Sequence, residues 1–389
     1  MKNKEETILQ SFTLGIDYPV IFSRNIFAPS NPVLLDVIAR REPGRRHSAA
    51  VVIDSGVAAA WPGLGEAMDG YFRAHGDRLR LAAKPMIVDG GERCKAGGDE
   101  VVRLQRWMLD AKLDRQSVLI AIGGGALLDM SGYSAATFHR GIRLVRLPST
   151  VLAQNDAGIG VKNGINSFGL KNLIGSFAAP FGVIADFDFL DTLEDRDRRA
   201  GLAEAVKVGL IRDSEFFGWL EENAHALALF SRNETETMIK RCAELHLAHI
   251  AGGGDPFEHG SARPLDFGHW AAHKLESMSD YRLRHGEAVA MGIALDTLYS
   301  GEIGLLGAIQ QQRILSLLER LGFVLWDELL QAPEDRALLI RGLDEFREHL
   351  GGELMLTLLA DIGRSVEVSK VDLIKLERAL ELLSPQAPA

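Results

Sequence analysis

The strongest constraint on the fold is an alternation of short β-branched runs with longer helical patterns, which begins at Ser48. The runs AAVVIDSG, LAAKPMIVDGGE and SVLIAIGGG are separated by helical patterns over residues 61–75 and 99–112. Two further strand-like runs follow, IRLVRLPST and FGVIADFDFL. Such alternation predicts a parallel sheet with crossover helices. We therefore expect a Rossmann-like α/β domain over residues 1–188.

From Thr192 onward strand patterns almost vanish, and amphipathic helical patterns such as ETMIKRCAELHLAHIA dominate. Breaks such as AGGGDPF separate them. The 389 residues also exceed the roughly 250–300 at which a single hydrophobic core stops growing. We expect a second, α-helical domain over residues 189–389.

Composition excludes several classes of function. The formal net charge of −10 disfavours binding to nucleic acid. No stretch reaches the roughly 18 apolar residues of a membrane span, and the polar N-terminus MKNKEETILQSF lacks the apolar core of a signal peptide. The two cysteines, Cys94 and Cys242, lack metal-site spacing and predict incidental buried thiols. We expect a cytoplasmic protein that acts on a small molecule.

A dinucleotide site is suggested where the strand SVLIAI runs into the glycines of residues 123–125. Glycines at the carboxyl end of a parallel strand let the backbone approach a pyrophosphate at the N-terminus of the next helix. Alone, this run fits a tight turn equally well, because it is not the GxGxxG fingerprint. Asp54, Glu92 and Lys95 also follow strand-like runs. Their shared placement at strand ends favours a nucleotide crevice over isolated turn charges.

A possible metal site lies in the helical half. His269 and His273 are four residues apart and share a helical face, and His285 follows in RHGEAVAMG. Glu204 lies upstream, with Lys207 one turn later. Imidazoles and a carboxylate are suitable ligands for a zinc-like ion with an open position, although helical histidine pairs are also common on surfaces and in cores.

Cations occur within glycine- and asparagine-rich segments that we interpret as turns. These are Lys162 and Lys171 in GVKNGINSFGLKN and Arg140 in FHRG, to which Lys207 adds another. In an acidic protein, this placement suggests recognition of an anion such as phosphate. The alternative for each is a solvated surface charge.

Taken together, the motifs resemble the 3-dehydroquinate synthase family of sugar-phosphate cyclases. The matching segments are GGExxK, GGGxxxDxxG, LPSTVLAQNDAGIGVKN, GLKNLIGSF, GLAEAVKVG, DFGHWAAH and RHGEAVAMG, in order along roughly residues 45–300. The resemblance implies a carbon-oxygen lyase acting on phosphates, with NAD, zinc or another divalent metal such as cobalt, and a homodimer. The implied reaction combines a transient oxidation by NAD with phosphate elimination and ring closure.

The resemblance also implies roles for individual residues. It assigns Glu204, His269 and His285 to the metal, and His273 to the neighbourhood of the leaving phosphate. It places Arg140 on the phosphate, reaching across a dimer, and surrounds the substrate with Asp156, Lys162, Asn172, Lys207 and Asp266. The residues assigned to NAD are Asp54, Glu92, Lys95, Gly124, Gly125, Asp129, Ser149, Thr150, Lys171, Phe189, Thr192 and Leu193.

Three departures from the family pattern concern the substrate. Asp266 replaces an asparagine three residues before His269, and His246 stands at a lysine position. Ala262, beside Arg263, replaces an arginine. The two cations serve the substrate carboxylate in 3-dehydroquinate synthases, and losing a cation opposite a buried carboxylate costs roughly several kcal/mol.

We therefore favour an uncarboxylated seven-carbon ketose phosphate, such as sedoheptulose 7-phosphate, as the substrate, and a cyclitol as the product. True 3-dehydroquinate synthase activity in the shikimate pathway is the alternative. A metal-dependent NAD polyol dehydrogenase shares the two-domain plan but needs no phosphate site.

Overall fold

The computed structural model describes residues 8–252, 264–349, 352 and 354–385. Its strands, in chain order, are β1 (Val20–Ser23), β2 (His47–Asp54), β3 (Leu79–Leu81), β4 (Met86–Val88), β5 (Val118–Gly123), β6 (Arg143–Pro148), β7 (Lys162–Ser167), β8 (Leu170–Phe177), β9 (Gly182–Asp186), β10 (Leu356–Asp361) and β11 (Arg364–Val368).

The helices, in chain order, are α1 (Val33–Ala39), α2 (Ser55–Ala60), α3 (Leu64–Ala74), α4 (Asp99–Asp110), α5 (Gly125–Thr137), α6 (Asp195–Arg212), α7 (Ser214–Glu222), α8 (Ala224–Ala228), α9 (Arg232–Gly252), α10 (His269–Met278), α11 (His285–Glu302), α12 (Ala308–Arg320), α13 (Pro333–His349) and α14 (Leu373–Leu383). A short π-helix spans Ala153–Ala157.

The predicted parallel sheet is confirmed. Its strand order is β1-β9-β6-β5-β2-β3, and β4 pairs with the last residues of β2 beyond β3. Every pairing in this sheet is parallel. The carboxyl ends of β2, β4, β5, β6 and β9 therefore lie along one edge, where open α/β sheets bind ligands.

Both faces of the sheet are covered, which explains the continuous apolar runs of its strands. Ala49, Val51 and Ile53 of β2 pack with α1 and α3, whereas Ala50 and Val52 pack on the opposite face with α4 and α5. Successive residues of one strand thus enter two different hydrophobic clusters.

Three parts of the fold differ from the sequence-based expectations. The sheet starts before Ser48, with β1 at its edge. The glycine- and asparagine-rich segment expected to form turns is an antiparallel hairpin of β7 and β8. The helical half also contains a hairpin, β10–β11, in which Leu358 and Leu359 are fully buried. Burial of Leu358 and Leu359 stabilises β10, whereas the glycines and asparagines of β7 and β8 weaken their local strand signals.

The helical half has its own large apolar cluster, built mainly from α6, α7, α10 and α11. Val151 and Phe187 from the first half pack into the same cluster. The change from strands to helices thus occurs as expected, while the division at residue 188 stays a prediction. Within the described residues, no helix is long and apolar enough to cross a bilayer. Cys94 and Cys242 are buried and unpaired, as predicted.

Candidate functional site

The first candidate region, here called the strand-end site, comprises the residues that follow β2, β4, β5 and β6. Asp54 is the last residue of β2, Glu92 lies four residues beyond β4, and Ser149 and Thr150 directly follow β6. Gly124 separates β5 from α5. The structure therefore brings these predicted cofactor residues to the same edge of the sheet.

The N-terminus of α5 is suited to an anion. Its N-cap, Gly124, provides no side-chain hydrogen bond to the first turn of the helix. Ala157 packs closely against the backbone of Gly125, since a Cβ on this glycine would lie 3.1 Å from the Cβ of Ala157. Uncapped N–H groups and the helix dipole favour a negatively charged group at this position.

Asp54 is held between glycines of two neighbouring loops. A Cβ on Gly90 would lie 1.9 Å from Asp54 Oδ2, and a Cβ on Gly123 would lie 3.2 Å from Asp54 Cβ. Its Oδ1 accepts a 2.8 Å hydrogen bond from the Gly56 amide. Burial raises the pKa of Asp54 despite this bond. Its second oxygen remains suited to accept a hydrogen bond from a ribose hydroxyl.

Lys95 connects the strand-end site to the β7–β8 hairpin. Its side chain is almost fully buried, and Nζ donates to Asp129 Oδ2 at 2.8 Å and to Asn172 Oδ1. Asn172 has a φ of 55° and lies on the hairpin. The same hairpin approaches α5 closely, because a Cβ on Gly132 would lie 1.7 Å from Asn163 Oδ1. These contacts fix the hairpin over the sheet edge.

The segment after β9 carries three predicted cofactor residues. Phe189 is fully buried in the sheet core, where its ring packs against Trp61. Its carbonyl accepts a 2.6 Å hydrogen bond from Thr192 Oγ1. Thr192 and Leu193 remain partly exposed. The side chains of Thr192 and Leu193 are therefore accessible to a bound cofactor, and their predicted roles stay predictions.

The second candidate region is the carboxylate–histidine cluster of Glu204, His269 and His285. One ligand atom from each lies within 4.8 Å of the others. Glu204 Oε1 is 3.4 Å from His269 Nε2 and 3.6 Å from His285 Nε2. Ligands about 2.0–2.1 Å from a tetrahedral zinc ion lie about 3.4 Å apart. The cluster therefore has the spacing of a metal site.

The hydrogen bonds around the cluster point its ligand atoms inward. His269 Nδ1 lies 3.1 Å from the Phe267 carbonyl, and His285 Nδ1 lies 3.0 Å from Glu276 Oε2. These bonds leave each Nε2 free to coordinate. Glu204 is fully buried, its oxygens have no hydrogen-bond partner, and they lie within ion-pair distance of Lys207, His269 and His285. Such a buried carboxylate fits a divalent cation.

Glycines allow the three supporting helices to meet. A Cβ on Gly286 of α11 would lie 2.0 Å from the Ala200 carbonyl oxygen of α6. A Cβ on Gly292 would lie 2.0 Å from the carbonyl oxygen of Gly268, which precedes α10 and has a φ of 77°. The motif RHGEAVAMG thus brings Glu204 on α6 close to the histidines on α10 and α11.

Asp296 fixes the start of α10. It accepts hydrogen bonds from the Gly268 amide at 2.9 Å and from Trp270 Nε1 at 2.8 Å. Burial raises the pKa of Asp296 to about 7. Because these donors flank His269, the carboxyl group holds that histidine's backbone in place.

Lys207 stands among acidic groups. Burial lowers the pKa of Lys207, but the adjacent Glu204 outweighs this effect. Asp156 and Asp266 raise the pKa of Lys207 further. Asp156 itself pairs with His246, whose Nδ1 is 2.8 Å from Asp156 Oδ1. The predicted substrate residues Asp156, Lys207 and Asp266 are therefore neighbours.

Arg146 organises the loop that carries Lys162, a role that the sequence analysis missed. The guanidinium is fully buried and donates to the carbonyls of Gly158, Gly160 and Lys162 at 3.1, 2.8 and 3.3 Å. It also donates to Asn163 Oδ1 at 2.5 Å. A cation within an apolar strand, as in RLVRLP, is the signal that could have identified it.

Lys171 joins the two candidate regions. Its Nζ lies 3.4 Å from Glu92 Oε1, and 2.9 and 3.1 Å from the two oxygens of Glu276. Glu276 was also missed, although it lies seven residues after His269 and so shares its helical face. Burial, together with the neighbouring His269 and Lys171, lowers the pKa of His273 well below its usual range.

Arg140 is the predicted site residue most clearly separated from the others. It is exposed and lies beyond the carboxyl end of α5, whose thirteen residues begin at Gly125. At about 1.5 Å per residue, this is about 20 Å along the helix. Within one chain, Arg140 therefore does not join the N-terminus of α5.

Comparison with known proteins identifies the family. The family models described as 3-dehydroquinate synthase N-terminal and C-terminal match residues 85–200 and 201–340. A 3-dehydroquinate synthase of Paracoccus denitrificans (strain Pd 1222) is 35% identical over 353 residues, which cover 89% of this chain and 91% of that protein. The chain belongs to the 3-dehydroquinate synthase family. It is an enzyme of the sugar-phosphate cyclase type, which confirms the resemblance noted in the sequence.

Two solved structures have the same fold. The 2-epi-5-epi-valiolone synthase of Streptomyces hygroscopicus subsp. jinggangensis 5008, with NAD⁺ and Zn²⁺ bound, matches with a TM-score of 0.85 and 27% identity over 97% of this chain and 99% of that chain. A 2-deoxy-scyllo-inosose synthase in complex with carbaglucose-6-phosphate, NAD⁺ and Co²⁺ matches with a TM-score of 0.76 and 22% identity over 93% and 95% of the two chains. At 22% identity, the similarity to the 2-deoxy-scyllo-inosose synthase shows a shared fold and no more.

Proposed function

We propose that this member of the family converts an uncarboxylated seven-carbon ketose phosphate, such as sedoheptulose 7-phosphate, into a carbocyclic ketone with elimination of phosphate. The proposal includes NAD at the strand-end site and a zinc-like metal at the carboxylate–histidine cluster. The contacts of Lys171 with Glu92 and Glu276, at 3.4 and 2.9 Å, support a single catalytic centre formed by both regions.

Glu204, His269 and His285 would hold the metal. The predicted cofactor residues around Asp54 and the N-terminus of α5 would hold NAD. When bound, NAD provides a reversible hydride acceptor and the metal provides a Lewis acid for substrate oxygens. The 2-epi-5-epi-valiolone synthase, which carries NAD⁺ and Zn²⁺, supports this assignment.

The protein's own groups would orient and charge-stabilise the substrate. Lys207, buried beside Glu204, provides a fixed cation next to oxygens that become anionic. Lys162 and Lys171 provide further positive charge for a phosphate. Arg146 holds the backbone at Lys162 by a hydrogen bond to its carbonyl. His273 would lie near the leaving group, which its ring distance of 5.5 Å from His269 supports. Asn172 is positioned by its bond with Lys95.

The acidic surroundings of Lys207 favour an uncarboxylated substrate. Asp156 and Asp266 both raise the pKa of Lys207. His246 Nδ1 lies 2.8 Å from Asp156 Oδ1, so this histidine is already paired with a carboxylate. A carboxylated substrate would bring another negative charge towards Asp156 and Asp266, whereas sugar hydroxyls can donate to them. Ala262 and Arg263, which also bear on this assignment, lie outside the described residues.

A second candidate is 3-dehydroquinate synthase itself. The observation that favours it is sequence identity, since relatives with that name are 34–36% identical to this chain. The valiolone synthase is 27% identical. A polyol dehydrogenase is less consistent with the site, because it needs no phosphate-binding lysines such as Lys162 and Lys171.

We also propose that the protein is a homodimer in which Arg140 contacts the phosphate bound by the other protomer. Support comes from its exposed position about 20 Å along α5 from Gly125. A cross-protomer role would explain why Arg140 lies away from the strand-end site of its own chain. Activity restored by mixing Arg140→Ala protein with Lys207→Ala protein would support this arrangement, and no restoration in verified mixed dimers would contradict it.

The deciding experiment is phosphate release by purified protein with NAD and zinc. Sedoheptulose 7-phosphate is compared with the carboxylated seven-carbon substrate of 3-dehydroquinate synthase. Release from the ketose phosphate alone supports the proposal, and release from the carboxylated compound alone identifies a divergent 3-dehydroquinate synthase. The double variant Asp266→Asn/His246→Lys should shift preference towards the carboxylated compound by about tenfold or more.

A further inference from the structure

We infer that Glu276 is a positioning residue that couples the metal cluster to the strand-end site. The inference rests on the proposed function, because it requires that the chain bind both a metal and NAD. It extends that function by assigning a role to a side chain outside the proposed ligands.

Glu276 is placed to orient a ligand. Its side chain is 3% exposed, and Oε2 lies 3.0 Å from His285 Nδ1. The carboxylate fixes the proton on Nδ1 and directs His285 Nε2 towards Glu204, 3.6 Å away. Lys171 Nζ and His285 Nδ1 both face the Glu276 carboxylate, at 2.9 and 3.0 Å.

Glu276 is better suited to positioning than to coordination. It forms a second group with His273 and His285 in which one ligand atom of each lies within 4.8 Å of the others. However, Lys171 Nζ contacts both carboxylate oxygens at 2.9 and 3.1 Å, and His285 occupies Oε2 as well. A cation at this second group would have to displace Lys171.

The other end of the network reaches the strand-end site. Lys171 Nζ lies 3.4 Å from Glu92 Oε1, and Glu92 Oε2 accepts a 2.9 Å hydrogen bond from Asn166 Nδ2. Glu92 begins the turn after Gly91, whose φ is 72°. A continuous series of contacts thus connects Glu92, Lys171, Glu276 and His285.

This series can transmit order between the two sites. A dinucleotide that fixes Glu92 and Lys171 reduces the freedom of Glu276, and a fixed Glu276 holds His285 in its coordinating orientation. Metal binding then requires less ordering, so NAD should increase metal affinity. By linkage, the metal should increase NAD affinity by the same factor.

The test is the zinc dissociation constant of the full-length protein, measured by competition with a chromophoric chelator, with and without saturating NAD. In the wild type, NAD should tighten zinc binding by about fivefold or more. Glu276→Gln should weaken zinc binding by about 10–100-fold and abolish the effect of NAD. Glu345→Gln, which neutralises an exposed carboxylate paired with Lys274 of α10, should behave as wild type.

Glu276→Asp provides a second variant in case Glu276→Gln does not fold. Its shorter side chain keeps a negative charge near Lys171 but withdraws the carboxylate from His285 Nδ1, so zinc binding should weaken and the response to NAD should shrink. An unchanged zinc affinity and NAD response in folded Glu276→Gln or Glu276→Asp would overturn the inference. So would a wild type that binds both ligands independently. A wild type that binds neither zinc nor NAD would instead contradict the proposed function.

Discussion

The strand-end site and the carboxylate–histidine cluster differ in the kind of structure that forms them. At the strand-end site, residues at the ends of parallel strands come together, Gly90 leaves room for the Asp54 carboxylate, and Gly124 leaves the N-terminus of α5 uncapped. In the cluster, buried charged side chains from three helices converge, with Glu204 and Lys207 almost fully buried. One site depends on local chain geometry, whereas the other depends on how distant helices pack.

This difference has an energetic consequence. Uncapped amides at the N-terminus of α5 remain hydrated until a ligand arrives, so the strand-end site costs little in the free protein. A buried carboxylate is costly unless it is paired, and Glu204 relies on Lys207 and the neighbouring histidines. Substitutions in the cluster should therefore have larger effects than substitutions of exposed groups.

The largest expected effect is that of His269→Ala. Losing one of three proposed ligands should weaken zinc binding by more than about a hundredfold. The loss should exceed the usual effect of removing a residue that only hydrogen-bonds to a ligand, which is about 10–100-fold. The α/β half should remain folded and bind NAD, because His269 lies on α10. Metal analysis and NAD titration of the purified variant provide the measurements. Full metal content in this variant would refute the ligand assignment.

Lys207→Ala should lower turnover by about 10²–10³-fold, the usual cost of losing one preorganised electrostatic group. NAD binding should persist, because the strand-end site does not include this residue. Steady-state phosphate release and NAD titration test the two sites separately. If turnover survives, Lys207 has only a structural role as the partner of Glu204.

The helix contacts that form the cluster can be tested with two glycines. Gly292→Ala places a methyl group against the Gly268 carbonyl and should lower the free energy of unfolding by about 1–3 kcal/mol. Gly218→Ala lies within α7 with no atom within 4 Å of the added carbon, and should raise it by about 0.4–1 kcal/mol. Urea unfolding of the metal-free proteins measures both. Equal effects would mean that the close approach is not required.

The smallest expected effect is a pH dependence confined to the cluster. Burial disfavours the imidazolium of His285, but Glu276 and Glu204 outweigh burial and raise its pKa to about 9. At lower pH, zinc must displace this proton, so its apparent affinity should rise about tenfold per pH unit between pH 7 and 8. Chelator competition at both pH values tests this slope. An affinity independent of pH would show that His285 is neutral in the free protein.

Much of the strand-end site could be predicted from the sequence. The alternation of apolar runs and helical patterns determines a parallel sheet, and parallel strands place their carboxyl ends on one edge. Asp54, Glu92 and the glycines of residues 123–125 could therefore be grouped from their positions in the chain alone. The β7–β8 hairpin could not be predicted, because its asparagines and glycines are also typical of turns.

The sequence by itself determined the residue types of the cluster and the shared helical face of His269 and His273. Only the tertiary structure decided that Glu276 holds His285, that Lys171 connects it to Glu92, and that His246 engages Asp156. Helical periodicity specifies which residues share a face, but it carries no information about which distant helix that face will meet. Here the meeting is decided by close contacts at Gly286 and Gly292, where a single added methyl group would separate the helices.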